Sequence, residues 1–314
     1  MATTRTALRS PAKIASSDVK ADLDLSREEL LQLLDLAKSV KANPARYARS
    51  LNGRYLTLLF EKPSLRTRLT FELAIKQLGG DAVVSTGPIG DREPLKDVAR
   101  NLDRWTNGIV ARVFSHQTIE ELARWSSVPV INALSDLYHP CQAFADMFTL
   151  QEHFENVRGM KLAYIGDGNN VAHSLLLNAV RLGIDVSVGC PEGYEPNAGI
   201  VAQAKALAEV CGASVEITHK PEQAIAGAHA VYTDVWTSMG LESEKEHRRV
   251  VFAPFQINAE LFVKADSEAV FLHCLPAKRG EEVTDEVIDS PQSIVFDQAE
   301  NRLHVQKALL LGLL

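Results

Sequence analysis

Cysteine is scarce in this chain and scattered. Cys141, Cys190, Cys211 and Cys274 are the only four, and no pair has CxxC spacing. A disulfide framework and a structural zinc site are therefore unsupported, and a reducing cytoplasm fits best. Long apolar runs are missing too: none approaches the roughly 20 residues that span a bilayer. Positive charge is not in excess. Lys and Arg number 33 against 40 Asp and Glu, a formal charge of −7. A nucleic-acid partner, which needs a basic face to neutralise phosphates, is thereby disfavoured. The phosphate-loop pattern GxxxxGK[ST] occurs nowhere, nor does the dinucleotide pattern GxGxxG. No low-complexity tract or internal repeat interrupts the body.

What remains is an ordinary globular composition, 46% hydrophobic and 23% charged, over 314 residues. That is enough chain for two domains, each with its own core. The opening MATTRTALRSPAKIASSDVK has Arg, Lys, Ser and Thr before the first acidic residue, Asp18. It is faintly like an organelle transit peptide but lacks an apolar secretory core, and reads as a flexible tail over 1–20.

A first helix is signalled by SREELLQLLDLAKSVKANP. Ser26 and Glu29 have capping-box spacing, leucines recur at helical intervals, and Pro44 stops the run. Strand-like runs follow at RYLTLLF (54–60), GIVARVF (108–114) and VPVIN (128–132), with a helix from about Ser64 to Leu78 between the first two. After Pro140 comes a long amphipathic helix, QAFADMFTLQEHF, suited to bridging two halves. A second set of strand-like runs then begins: MKLAYIG (160–166), IDVSVGC (184–190), ASVEIT (213–218), HAVYTDVW (229–236), AVFLHCL (269–275) and SIVF (293–296). Strands alternating with helices of crossover length predict parallel sheets. The fold class read from this is α/β, two tandem domains, each a mainly parallel sheet with helices on both faces. The divisions are 21–138, a linking helix 139–155, a second domain 156–296, and a C-terminal helix 297–314 packing back on the first domain.

The densest chemistry lies in FEKPSLRTRLTFE (60–72). Pro63 and Ser64 are a breaker and an N-cap residue before the apolar positions Phe71, Ala74, Ile75 and Leu78. Residues 65 to 68 then form a first helical turn, whose N–H groups are unpaired and attract anions. Arg66 and Arg68 act against the helix dipole there unless an anion sits between them. Guanidinium forks and Ser and Thr hydroxyls suit phosphate oxygens. The plainer alternative is that Ser64 only caps and the arginines pair with surface carboxylates.

FEKPSLRTRLTFE resembles the phosphate motif of the aspartate/ornithine carbamoyltransferase family, usually F-x-x-x-S-T-R-T-R-x-x-F-E. HPCQ (139–142), DVWTSMG (234–240) and HCLP (273–276) follow in the family's order. The resemblance covers the whole chain beyond the tail, and HCLP with SMG is similar to the ornithine branch. It implies transfer of the carbamoyl group of carbamoyl phosphate to the side-chain amine of L-ornithine, giving L-citrulline and phosphate in arginine metabolism. No cofactor and no metal are implied, because phosphate is already a competent leaving group.

Carried onto this sequence, the resemblance makes 21–138 the carbamoyl-phosphate-binding domain and 156–296 the ornithine-binding domain. Ser64, Leu65, Arg66 and Thr67 match phosphate-binding positions, with Leu65 standing where Thr is usual. Arg112, His139, Gln142, Cys274, the Leu275 carbonyl and Arg302 match positions around the carbamoyl group. Cys274, Arg112 and His139 are the residues matched to catalysis. Asn170, Asp234, Ser238 and Met239 match the ornithine site. The family forms homotrimers, with a loop around residues 85–95 completing a neighbour's site.

Residue chemistry supports several of these positions independently. An arginine among the apolar residues of IVARVF is costly without an anionic partner. His139 and Gln142, three apart at a helix start, are placed to share a face. Asp234 ends a strand, where parallel sheets put ligand contacts. His273 and Cys274 are strand neighbours and so point to opposite faces, which argues against a Cys–His nucleophile pair. For each, a plain cap, core or turn role is the competing reading. Two rival substrates within the family are aspartate, opposed by HCLP and SMG, and an acylated ornithine, which Leu65 favours and DVWTSMG opposes. A non-catalytic paralogue would have lost several site residues, whereas only Leu65 departs.

Overall fold

The structure is a computed structural model. It describes residues 14–314 apart from 63, 239, 241 and the side chain of 242. Among the described residues nine strands form two sheets. β1 (Tyr55–Phe60), β2 (Asp81–Thr86), β3 (Gly108–Arg112) and β4 (Val130–Leu134) lie in the order β2-β1-β3-β4. β5 (Lys161–Ile165), β6 (Asp185–Gly189), β7 (Val215–Thr218), β8 (Ala230–Thr233) and β9 (Val270–His273) lie in the order β7-β6-β5-β8-β9. Every pairing within both sheets is parallel.

Strand alternation explains how the sheets are covered. Leu56, Leu58 and Phe60 of β1, with Leu162 and Tyr164 of β5, belong to one continuous core shared by both sheets. The helices Arg27–Ala42, Pro140–Phe154 and Val295–Leu313 fill it. The opposite faces carry separate clusters: Leu59, Ile109 and Ala111 pack with Ile119 and Leu122, and Ala163, Ile165 and Phe271 with Ile225 and Phe262. The expected capping box of the first helix is present: Ser26 Oγ accepts from the Glu29 amide, and Glu29 accepts from the Ser26 amide.

Chain order reverses between β1 and β3 in one sheet and between β5 and β8 in the other. Ligands of open parallel sheets bind beyond the strands' carboxyl ends at such a point. The residues just beyond both reversal points line a single cleft.

Four expectations need correction. SIVF is not a strand: Ser293 makes only an isolated bridge to Phe271, and Val295 opens the C-terminal helix, earlier than 297. The edge strand β2 was missed because DAVVST is mostly exposed, which leaves little hydrophobic pattern to read. The helix after FEKPS begins at Arg66, not Ser64. Of the supposed tail, 1–13 lie outside the described residues, but the rest is tied down. The Ile14 amide donates to the Gly312 carbonyl (3.1 Å), and Val19 exchanges bonds with Val130 (2.9 Å) and Asn132 (2.8 Å).

Beyond this docked segment, Asp22 is fully buried and accepts from Ser174 Oγ (2.7 Å) and Asn178 Nδ2 (2.6 Å). Burial pushes its carboxyl up to about 6. The chain start therefore straps the first sheet to the helix Asn170–Arg181 that follows β5.

Candidate active site

The cleft between the two carboxyl edges is a cavity of about 850 Å³. One wall begins at the helix Arg66–Gln77. Leu65, not Ser64, occupies its N-cap position, and no side chain caps it. The first-turn N–H groups are thus left for a ligand, beside Ser64, Leu65, Arg66 and Thr67, all of which line the cavity. Arg68 is exposed, and Glu72 pairs with Lys76 (2.8 Å) rather than with it.

Two further arginines complete this wall. Arg112 ends β3, and Arg302 projects from the C-terminal helix to donate from Nη2 to Thr67 Oγ1 at 2.8 Å. The Nε atoms of both are buried without a partner among the described residues. Burial, and then the charge of Arg302, bring Arg112 down to about 10; burial lowers Arg302 and Arg66 as well. Buried like charges with unused donors are stabilised by an anion between them. His139 lies beside them, and its imidazole is held well below its ordinary value by burial and by Arg302 and Arg112. It is a neutral hydrogen-bonding ring at physiological pH. Its Nδ1 has no partner, while its backbone N–H is fixed by Ser174 Oγ at 2.9 Å.

Gln142 does not share this face. It is buried behind the cavity wall, where Nε2 donates to Asp146 (2.8 Å) and Oε1 is unpartnered. His139 is the N-cap and not a helical residue, so the i,i+3 spacing does not align the two side chains.

The facing wall is built from the second sheet. Asp234 follows β8 and is fully engaged. Its Oδ1 accepts from Cys274 Sγ (3.1 Å) and the Val235 amide (2.8 Å), and its Oδ2 from Asn169 Nδ2 (2.9 Å). Cys274, just after β9, is pushed well above the ordinary thiol range by burial and then by Asp234. It is a neutral S–H donor, unsuited to act as a thiolate nucleophile. His273 points the other way, as strand alternation requires: Nε2 meets Glu282 (3.2 Å), and Nδ1 accepts from the Leu275 amide (2.8 Å). Asp234, His273 and Cys274 have ligand atoms within 4.8 Å of one another. Both ring nitrogens of His273 are already engaged, so it is not free to ligate and this donor set does not suit a metal.

Asn170 lines the cavity and donates to the Ser135 carbonyl (2.6 Å); Leu275, at φ +56, and Ser238 line it too. Met239 lies outside the described residues. Asn169 does more than shape a turn. Its Oδ1 caps the helix Asn170–Arg181 by accepting from Val171 (2.9 Å) and Ala172 (3.2 Å), while its amide fixes Asp234. Gly168, just before these asparagines, has a packing cause: a Cβ there would lie 2.2 Å from the Pro196 nitrogen.

Sequence reasoning missed a support beneath this wall. Arg248 Nη1 bonds both Asp167 Oδ2 (2.9 Å) and the Trp236 carbonyl (2.9 Å), and its Nε bonds Glu244 (2.8 Å). It clamps the segment between β8 and the helix Lys245–Phe252 onto the loop after β5. Arg248 looks like a surface helix charge in sequence. Of the two aromatic rings it covers, Phe252 lies one turn on in the same helix and Tyr194 is remote in the chain, so the sequence shows only half of its setting.

Fold and site together define a class: a two-domain α/β protein whose cleft sets an uncapped helix start and three arginines beside one parallel sheet opposite a buried carboxylate on the other. The carbamoyl-P binding domain model of aspartate/ornithine carbamoyltransferase matches residues 18–152, and the Asp/Orn binding domain model matches 158–313. An ornithine carbamoyltransferase of Thermococcus kodakarensis is 49% identical over 302 residues, covering 95% of this chain and 96% of that protein. One from a Vibrio species is 50% identical over 294 residues, covering 93% and 97%. The solved Pyrococcus furiosus ornithine carbamoyltransferase superposes with a TM-score of 0.92 at 47% identity, covering 95% and 97%. The chain belongs to the aspartate/ornithine carbamoyltransferase family.

Proposed function

We propose that the chain is an ornithine carbamoyltransferase, moving the carbamoyl group of carbamoyl phosphate onto the side-chain amine of L-ornithine to give L-citrulline and phosphate. The observation that carries this reading is the pairing, across one cleft, of an uncapped helix terminus flanked by buried arginines with a partnered, buried Asp234.

On this reading residues 21–138 hold carbamoyl phosphate and 156–296 hold ornithine. Phosphate oxygens take the hydroxyls of Ser64 and Thr67, the Leu65 N–H and the Arg66 guanidinium. Arg112, Arg302 and neutral His139 donate to the carbamoyl oxygen, where charge grows as the carbonyl carbon becomes tetrahedral. Gln142 holds Asp146 behind this wall. Asp234 takes the α-ammonium of ornithine, Asn170 its carboxylate end, and Ser238 lies along it. The Cys274 thiol and the Leu275 carbonyl orient the uncharged side-chain amine toward the carbamoyl carbon. The new C–N bond forms, the C–O bond to phosphate breaks with its electron pair, and the surplus amine proton leaves with the phosphate. Ordered placement of two small substrates supplies much of the acceleration.

A homotrimer in the cytoplasm completes the proposal. Leu65 (70% exposed), Leu69 (46%) and Leu73 (45%) make an exposed apolar stripe along one helix, with Val83 (63%) on the edge strand β2. Such a surface supports association. Among the described residues no helix is long and apolar enough to cross a membrane. Parallel assays with ornithine, N-acetylornithine, putrescine and aspartate test the activity; no citrulline from ornithine refutes it. Light scattering giving a monomer mass refutes the trimer.

A further inference from the structure

A second cavity, of about 250 Å³, lies away from the cleft, where three helices meet. Val40 ends one of them, Gln77 and Leu78 close the helix whose start lines the cleft, and Lys307 belongs to the C-terminal helix. Pro44, Ala45, Tyr47 and Ala48 supply the remaining wall.

Lys307 is the only charged group in that lining, and 3% of it is exposed. Among the described residues its ammonium has no hydrogen-bond or ion-pair partner. Nearby Lys41 shows the contrast: it is held by Glu152 (2.8 Å), Asn301 (2.8 Å) and Glu300 (3.9 Å), which leaves those groups engaged elsewhere. The Tyr47 hydroxyl is likewise taken, by Ser39 Oγ at 2.8 Å. The lysine stem is buried, and its ammonium opens with unused donors into a pocket where the Gln77 carboxamide and the engaged Tyr47 hydroxyl are the other polar side-chain groups. Such a group asks for an anion. The volume matches about eight non-hydrogen atoms at roughly 30 Å³ each. The walls call for an apolar body behind the charge, which excludes a fully hydrated inorganic ion as the best fit.

We propose that this pocket is a binding site for a small aliphatic carboxylate, its carboxylate on Lys307 and its hydrocarbon part against Val40, Tyr47 and Leu78.

Isovalerate is a suitable probe, titrated calorimetrically into the full-length protein in saturating inorganic phosphate, which keeps it out of the cleft. Saturable binding is expected, at least about tenfold tighter than that of neutral isovaleramide. Lys307→Met is expected to abolish that preference. Ala48→Phe, a change at an exposed position, is expected to weaken isovalerate about tenfold by filling the pocket, and it guards against a folding defect in the first variant. No saturable binding, equal affinity for acid and amide, or unaltered isovalerate affinity in both variants overturns the proposal.

Discussion

On one side of the cleft burial and the nearby charge of Arg302 depress the protonation of Arg112, and each arginine has a buried nitrogen without a partner among the described residues. On the other, Asp234 already receives a thiol, an amide N–H and a carboxamide. On the proposed reading the arginine wall is the phosphate side, where an anion's charge would relieve the repulsion between the guanidinium groups. The Asp234 wall would be the amine side, and because its carboxylate is already oriented by protein donors, little would have to move there on binding. A charge removed from the first wall should therefore cost binding of the dianion directly. A change beneath the second should act through geometry.

The largest effect is expected at Arg66. Arg66→Ala removes one charged contact to a buried phosphate, worth ~2–5 kcal/mol by analogy with truncated charge pairs. Steady-state kinetics should show kcat/KM for carbamoyl phosphate lower by at least about a hundredfold. Near-normal activity would sink the phosphate assignment.

Asp234→Asn should come next. It keeps the shape but removes the charge that meets the α-ammonium, so KM for ornithine should rise about thirtyfold, or ~2 kcal/mol. Phosphate affinity, measured by calorimetry, should stay within about twofold. An equal loss on both substrates would mean that the two walls are not separable.

Arg248→Met tests the support behind the amine wall. Arg248 does not line the cleft, so the effect should be smaller, about a tenfold rise in ornithine KM, with carbamoyl phosphate unaffected. Arg248→Lys, which can keep one of the three bonds, should recover part of it. A fall in kcat without any change in KM would argue for a merely structural role.

Protonation offers a fourth probe, behind the phosphate wall. Asp146 is fully buried, and burial raises its carboxyl to about 7 against hydrogen bonds from Gln142 and Gln298 that lower it. The folded chain therefore keeps a proton that the unfolded chain has lost. The stability this contributes is present below pH 3.8 and is lost as pH rises to about 7. Urea unfolding of the substrate-free protein should show stability falling across that window, and Asp146→Asn should flatten the fall. An unchanged slope would place the titration elsewhere, with Asp22 the next candidate.

Much of this arrangement was legible beforehand, and the failures share a cause. The parallel sheets, the capping box at Ser26 and the anion character of Ser64 to Thr67 are written in local spacing. The place of Asp234 and Cys274 on the cleft was readable because both follow strand ends, and parallel sheets open their clefts there. What escaped depends on contacts across long stretches of chain. Gln142 turns to Asp146 and Gln298 because the C-terminal helix passes behind it, and no i,i+3 rule carries that information. Arg248 meets Asp167 from 81 positions away. The docked segment at Val19 is short and polar, and its order comes from the open edge of β4 that it covers.

The smallest expected effect concerns the one residue that departs from the family pattern. Leu65 is 70% exposed and sits at the N-cap in helical backbone (φ −76°, ψ −59°), with no side-chain bond to its own helix. A threonine there would add a hydroxyl at the rim of the phosphate site, worth about 1 kcal/mol if it reached the ligand. It would also remove one member of the apolar stripe that Leu65 forms with Leu69 and Leu73. Leu65→Thr should thus tighten carbamoyl phosphate by no more than about fivefold. If the stripe is an interface, the same variant should dissociate at higher protein concentration than the parent. Both readouts come from one protein preparation, by inhibition kinetics and light scattering. Markedly weaker carbamoyl phosphate binding, with association intact, would mean that the leucine side chain shapes the phosphate wall itself and is not merely tolerated beside it.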